Sequence, residues 1–179
     1  IVTEIADVAR AVASHREVHV IAEDWRNEAR LVREVAHGGY GLDGVWADDF
    51  HYSVQRLLAG DDEGFYGDFR GTVGEAIKIV QRGWLFEGQH SRHVGGPRGT
   101  PAFDVPPSHL VHSLQNHDTV GNRPRGDRLH TRVEPSRYRA ATTLLLATPY
   151  TPLLFMGQEF AASTPFPFFC DHHDELGDK

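Results

Sequence analysis

Three stretches of the chain place carboxylates and imidazoles where an apolar run stops. "EVHVIAED" ends in Glu23 and Asp24, "DGVWADDF" carries Asp48 and Asp49 ahead of His51, and "LVHSLQNHD" ends in Asn116, His117 and Asp118. Neighbours in an extended segment face opposite ways, so only one of Glu23 and Asp24 points to a given face. A carboxyl half-buried there against apolar walls is pushed up in pKa and can act as a general acid. The plainer reading is a solvated loop acid or a helix N-cap. Asp49 either caps the helix expected from about Tyr52 or hydrogen-bonds a polyhydroxyl ligand. An ionised Asp118 beside His117 offers charge stabilisation and a hydrogen-bond donor, which suits a positively charged transition state on a sugar ring. The plainer reading of Asn116–Asp118 is an Asx turn around a satisfied histidine. Trp25, next to the first strand end, has the flat apolar face that stacks on a sugar. "CDHHDE", from Cys170 to Glu175, holds metal-ligand types. It lacks a matching second pair at ligand spacing, so neither a metal nor any other cofactor is expected.

These stretches need elements to carry them. Ile1, Ile5, Val8 and Val12 recur at helical spacing, which predicts a helix to about Ala13. Short apolar runs follow at Glu17–Asp24, Asp43–Phe50, Leu110–Asp118 and Thr151–Phe160, the last ending in Gln158 and Glu159. Between them, "HYSVQRLLAG", "TVGEAIKIVQRGW" and "RYRAATTLLLATP" predict helices, the last of them buried. Residues 86–108, rich in Gly and Pro, predict a long loop. Alternating strands and helices imply βαβ units and a parallel sheet. Polar residues gathered at strand ends are the signature of a (β/α)8 barrel, whose chemistry sits at the C-terminal face. Four strands make half a barrel, since a whole one takes about 250 residues. A doubly wound sheet is the rival, but no Gly-rich phosphate fingerprint follows any strand.

Composition narrows the class. A net charge of −7 with neutral His argues against nucleic acid or an anionic membrane surface as the main partner. No apolar run approaches the roughly 18 residues of a membrane span. The single Cys170 excludes an intrachain disulfide framework and suits a reducing, cytoplasmic compartment. The chain opens at Ile1 without Met, inside an amphipathic pattern, and reads as a fragment of one catalytic domain spanning residues 1–179.

Taken together, the stretches resemble the α-amylase superfamily of glycoside hydrolases. "VIAED" is similar to its fifth-strand motif and "LQNHD" to its seventh. "GLDGVWADDFHYSV", "EGFYGDF", "FEGQHS", "NHDTVGNRPRGDRL" and "TPLLFMGQEFAASTPFPFFCDHHDELG" narrow the resemblance to the maltooligosyltrehalose trehalohydrolase family, which cuts the α-1,4 bond beside the trehalose end of maltooligosyl trehalose with retention. The resemblance implies a partial (β/α)8 barrel, roughly strands 5 to 8. It also implies Glu23 as general acid/base and Asp118 as transition-state stabiliser. His117 is implied as a substrate-binding partner, and Asn116, Asp49, His51 and Trp25 complete the set expected around the sugar. The superfamily's nucleophilic Asp lies in a fourth-strand motif of the type D-G-x-R-x-D, which does not occur in these 179 residues. The resemblance therefore implies a chain that does not turn over by itself. A related branching enzyme or amylase, a non-catalytic glucan-binding remnant and, remotely, a metal-dependent hydrolase are the alternatives. Half a barrel also exposes two sheet edges, so self-association is expected.

Overall fold

The computed structural model describes residues 1–13 and 15–167. The chain runs α1 (Val2–Val12), β1 (Ile21–Ala22), β2 (Gly44–Trp46), α2 (Asp49–Ala59), α3 (Val73–Arg82), β3 (His90–Ser91), β4 (Gly96–Pro97), β5 (Leu110–Ser113), α4 (His117–Gly121), α5 (Pro135–Ala147) and β6 (Thr151–Leu153). Strands β1, β2, β5 and β6 form one sheet in that spatial order, and all are parallel. Each parallel step needs a crossover, which the intervening helices and irregular segments supply. The register pairs Ile21 with Gly44, Val45 with Leu110 and Val111 with Thr151. All three mouth-ward strand ends, after β1, β2 and β5, therefore open on the same side of the sheet.

Local chemistry explains the helix limits. Thr72 and Glu75 form a reciprocal capping box at the start of α3. Pro135 occupies the first turn of α5, where its missing N–H costs nothing. Gly60 closes α2 with φ near +79°, a left-handed conformation that a side chain would strain. Two apolar clusters follow. One packs the sheet around Val45, Leu110, Leu42 and the fully buried Trp84; the other joins α2, α3 and α5 through Phe50, Val54, Ile79, Leu114 and Leu145.

Four expectations shift. The first strand is two residues long rather than eight, because its flanks make no ladder. Residues 86–108 are not a plain loop: β3 and β4 pair antiparallel within them. Helix α5 is one-sided rather than buried throughout, with Tyr138, Ala141 and Leu145 inside and Leu146 exposed. Helix α1 forms over nearly the expected span, yet only Ala6 of it is buried, and Ile5, Val8 and Val12 face outward.

Candidate active site

Backbone turns at two strand ends create the site. After β1, Asp24 folds back on Arg26, accepting hydrogen bonds from its backbone N–H and guanidinium. Burial works against ionisation of Asp24, but these bonds and the Arg26 charge outweigh it and hold the carboxyl below the usual carboxylate range. With Asp24 held by Arg26, Glu23 is the acid of the pair that reaches His117. After β5, Asn116 accepts from the Thr119 N–H, and the Thr119 hydroxyl accepts from the Asn116 N–H. The plainer reading of Asn116 thus describes its side-chain oxygen, which caps α4 and aims the next two residues. The cap brings the His117 Nε2 to 3.5 Å from Glu23 Oε1 and 3.5 Å from Asp118 Oδ1. Trp46, at the end of β2, meets the His117 ring edge-on at 5.9 Å. The Glu23 and Asp118 side chains are each 52% exposed, and His117, 37% exposed, lies between them.

The second strand end turns inward. Asp49, expected at a sugar or as a helix cap, has no surface. It sits at the first position of α2 and cannot cap that helix. Its carboxylate pairs with Arg98 at 2.7 Å and accepts from Asn27 Nδ2, Leu85 N and Phe86 N. His51 is 1% exposed and Asp49 0%, so neither can reach a sugar. The helix start is buried continuously from Asp48 to His51, so the acids there are enclosed whichever way they point. Asp48, beside them, is 9% exposed, with Oδ1 3.7 Å from His51 Nδ1. Burial first, then the Asp49 charge, push the Asp48 carboxyl up to about 7, and Glu23 and Asp118 add to the push.

Arg98 is the functional-looking residue that sequence reasoning missed. Its guanidinium donates to the Trp25 carbonyl through Nε and Nη2 and lies over the rings of Phe86 and Phe65, at 5.0 and 5.4 Å. Its neighbour Gly99 (φ +84°) lies so close to Phe86 that a Cβ would sit 1.8 Å from the Phe86 carbonyl oxygen. The only sequence signal was a Gly-Pro-rich stretch, which points to a turn and not to a buried cation.

The buried titratable groups set a pH profile. Burial pushes His51 down to about 3 and His112 to about 4; His112 is stacked between Phe50 and Tyr150. Below about pH 6.5 the unfolded chain gains protons on both histidines that the folded chain refuses, so stability rises with pH. Asp48 acts oppositely between about pH 4 and pH 7, because the folded chain keeps a proton that the unfolded one has lost. Two groups outweigh one. Stability should climb by about 1 kcal/mol per pH unit from about pH 4.5 to pH 6 and level off or dip towards about pH 7. Urea denaturation across that range checks this, and a profile that falls from the start would contradict it.

A groove of about 700 Å³ opens beside Asp118, walled by Tyr52, Asp61, Glu63, Phe65, Tyr66 and Arg123. Trp25, 40% exposed, packs on Phe65 at 5.3 Å, and Phe65 stacks on Tyr52 at 5.4 Å. An aromatic row along a polar groove matches the two faces of a sugar ring, apolar over C–H and polar at the hydroxyls.

Over 162 residues the chain is 47% identical to the malto-oligosyltrehalose trehalohydrolase of Deinococcus radiodurans, and it is 43% identical to that of Arthrobacter ramosus over 168 residues. The chain is a relative of these trehalohydrolases. The matches cover 88% and 91% of the chain, but only 26% and 28% of those proteins. The trehalohydrolase of Saccharolobus solfataricus matches at 35% identity over 95% of the chain, which spans 30% of that protein. A crystal structure of a protein assigned as an alpha amylase from Salmonella typhimurium superposes with a TM-score of 0.86 and 35% identity, over 99% of this chain and 31% of that one. The four parallel strands are thus an arc of a (β/α)8 barrel. No protein-family model matches the chain. Among the described residues no helix is long and apolar enough to cross a membrane. "CDHHDE" lies outside the described residues.

Proposed function

We propose that residues 1–179 are one stretch of a single catalytic barrel that releases trehalose from maltooligosyl trehalose. One observation carries the reading: Glu23 and Asp118, from different strand ends, meet across the His117 imidazole at 3.5 Å each. The trehalohydrolase relatives support the substrate class. In this reading Glu23 protonates the leaving glycosidic oxygen and later takes a proton from the attacking water. Asp118 accepts hydrogen bonds from sugar hydroxyls and steadies the oxocarbenium-like charge. His117 donates to the sugar, and Asn116 holds that turn. Trp25 stacks at the rim, while Asp49 and His51 support the mouth from beneath. Retention also needs a nucleophilic Asp roughly 5–5.5 Å from the acid. The D-G-x-R-x-D pattern that would carry it is not among these residues.

The 179-residue chain alone should therefore release no trehalose from maltooligosyl trehalose. A chimaera in which it replaces the matching segment of the Deinococcus radiodurans protein should release it. Turnover by the chain alone would overturn the mechanism, and an inactive but folded chimaera would overturn the substrate. The Salmonella structure favours a second reading, an amylase acting on plain α-glucan; product analysis of the chimaera separates the two. A cytoplasmic location belongs to this proposal and is supported by the lone Cys170.

Among the described residues β1 and β6 are the edge strands of the sheet, each paired with one neighbour. The free chain should self-associate through them, raising its mass with concentration in sedimentation velocity. A strict monomer at all concentrations would count against open edges.

A further inference from the structure

We propose that Glu23, His117 and Asp118 form a site for a divalent transition-metal ion of the zinc class. One ligand atom from each of the three lies within 4.8 Å of the other two. A tetrahedral ion with bonds of about 2.0–2.2 Å holds its ligand atoms roughly 3.4 Å apart. The His117 Nε2 already stands 3.5 Å from one oxygen of each carboxylate, so two edges of that tetrahedron exist before any ion arrives. Only the Glu23–Asp118 edge has to tighten, and both of those side chains are exposed and able to turn.

The donor set selects the ion. One imidazole and two carboxylates suit zinc, cobalt or nickel. Calcium takes 6–8 oxygens and magnesium prefers an octahedron of oxygens, so three donors with a nitrogen among them serve both poorly. Two carboxylates neutralise the dication. The rigid parts are in place as well: the Asn116–Thr119 cap fixes the turn that carries two of the ligands, and Trp46 lies against the imidazole edge. Three ligands leave a fourth position open to solvent, which is the form of an exchangeable site rather than a closed structural one. The ion would take the atoms that the glycosidase reading gives to the sugar, so zinc would block acid catalysis if that reading holds. Binding itself does not depend on that reading.

Titration calorimetry of the full 179-residue chain at about pH 7, after removal of adventitious metal with a chelator, tests the site with zinc, magnesium and calcium chlorides. One zinc per chain is expected, with no saturable heat from magnesium or calcium. His117→Ala should weaken zinc by at least about tenfold, since even the loss of an outer-sphere partner costs that much. Glu23→Gln serves as the second variant if circular dichroism shows His117→Ala to be unfolded. The rival ligands are in the tail, so Cys170→Ser/His172→Ala/His173→Ala should bind zinc as the unmodified chain does. Absence of zinc binding, binding that survives His117→Ala or Glu23→Gln in a folded chain, or binding lost in the tail variant would each overturn the site.

Discussion

Asp49→Ala should cost about 3–5 kcal/mol of stability, the penalty for stranding a buried charge. The Asp49 and Arg98 side chains are both 0% exposed and face each other at 2.7 Å. Truncating Asp49 leaves Arg98 without its counter-charge, and it strips a partner from Asn27 Nδ2, Leu85 N and Phe86 N. Leu85 N and Phe86 N lose their acceptor, while Asn27 Nδ2 keeps only the Phe86 carbonyl at 3.3 Å; an orphaned donor is costlier than removing both partners. The comparison is Arg33–Asp104, where Asp104 is 43% exposed; Asp104→Ala should cost no more than about 1 kcal/mol. Urea denaturation of both variants is the check. A loss below about 1.5 kcal/mol for Asp49→Ala would mean that water enters the pair, contrary to its burial.

In the chimaera, Glu23→Gln should lower kcat by about 10²–10⁴, the range for a lost general acid. Gln keeps the shape of Glu23 and its place near His117 but cannot give up a proton. Binding should change little, so KM should stay close to its unmodified value. A substrate with a nitrophenyl leaving group needs no proton and should lose far less. A fall of less than about tenfold with maltooligosyl trehalose would remove Glu23 from the acid role. Equal losses on both substrates would make the residue a positioning one instead.

The strand ends were legible because polar residues interrupt apolar runs at fixed places, and that pattern is local. Glu23, His117 and Asp118 could be named from it together with the family resemblance. Asp49 and His51 could be noticed in the same way, but their depth could not. Whether a carboxylate after a strand faces a mouth or an interior depends on a partner far along the chain, and for Asp49 that partner is Arg98, out of a stretch that reads as a loop. Asp48 and Asp49 cannot be told apart in the sequence for the same reason: adjacent acids look alike until one of them is ion-paired.

Residue order alone specified the alternation of strands and helices, the parallel sheet and the turn at Asn116. Periodicity and capping act within a few residues, so short windows carry them. Folding alone decided which acids meet. The distance between Glu23 and Asp118 is set by the β1–β2–β5 order and by a turn at Asn116. The inward turn of Asp49 is set by a buried guanidinium from beyond β4. These are long-range packing and desolvation effects, and no local pattern reports them.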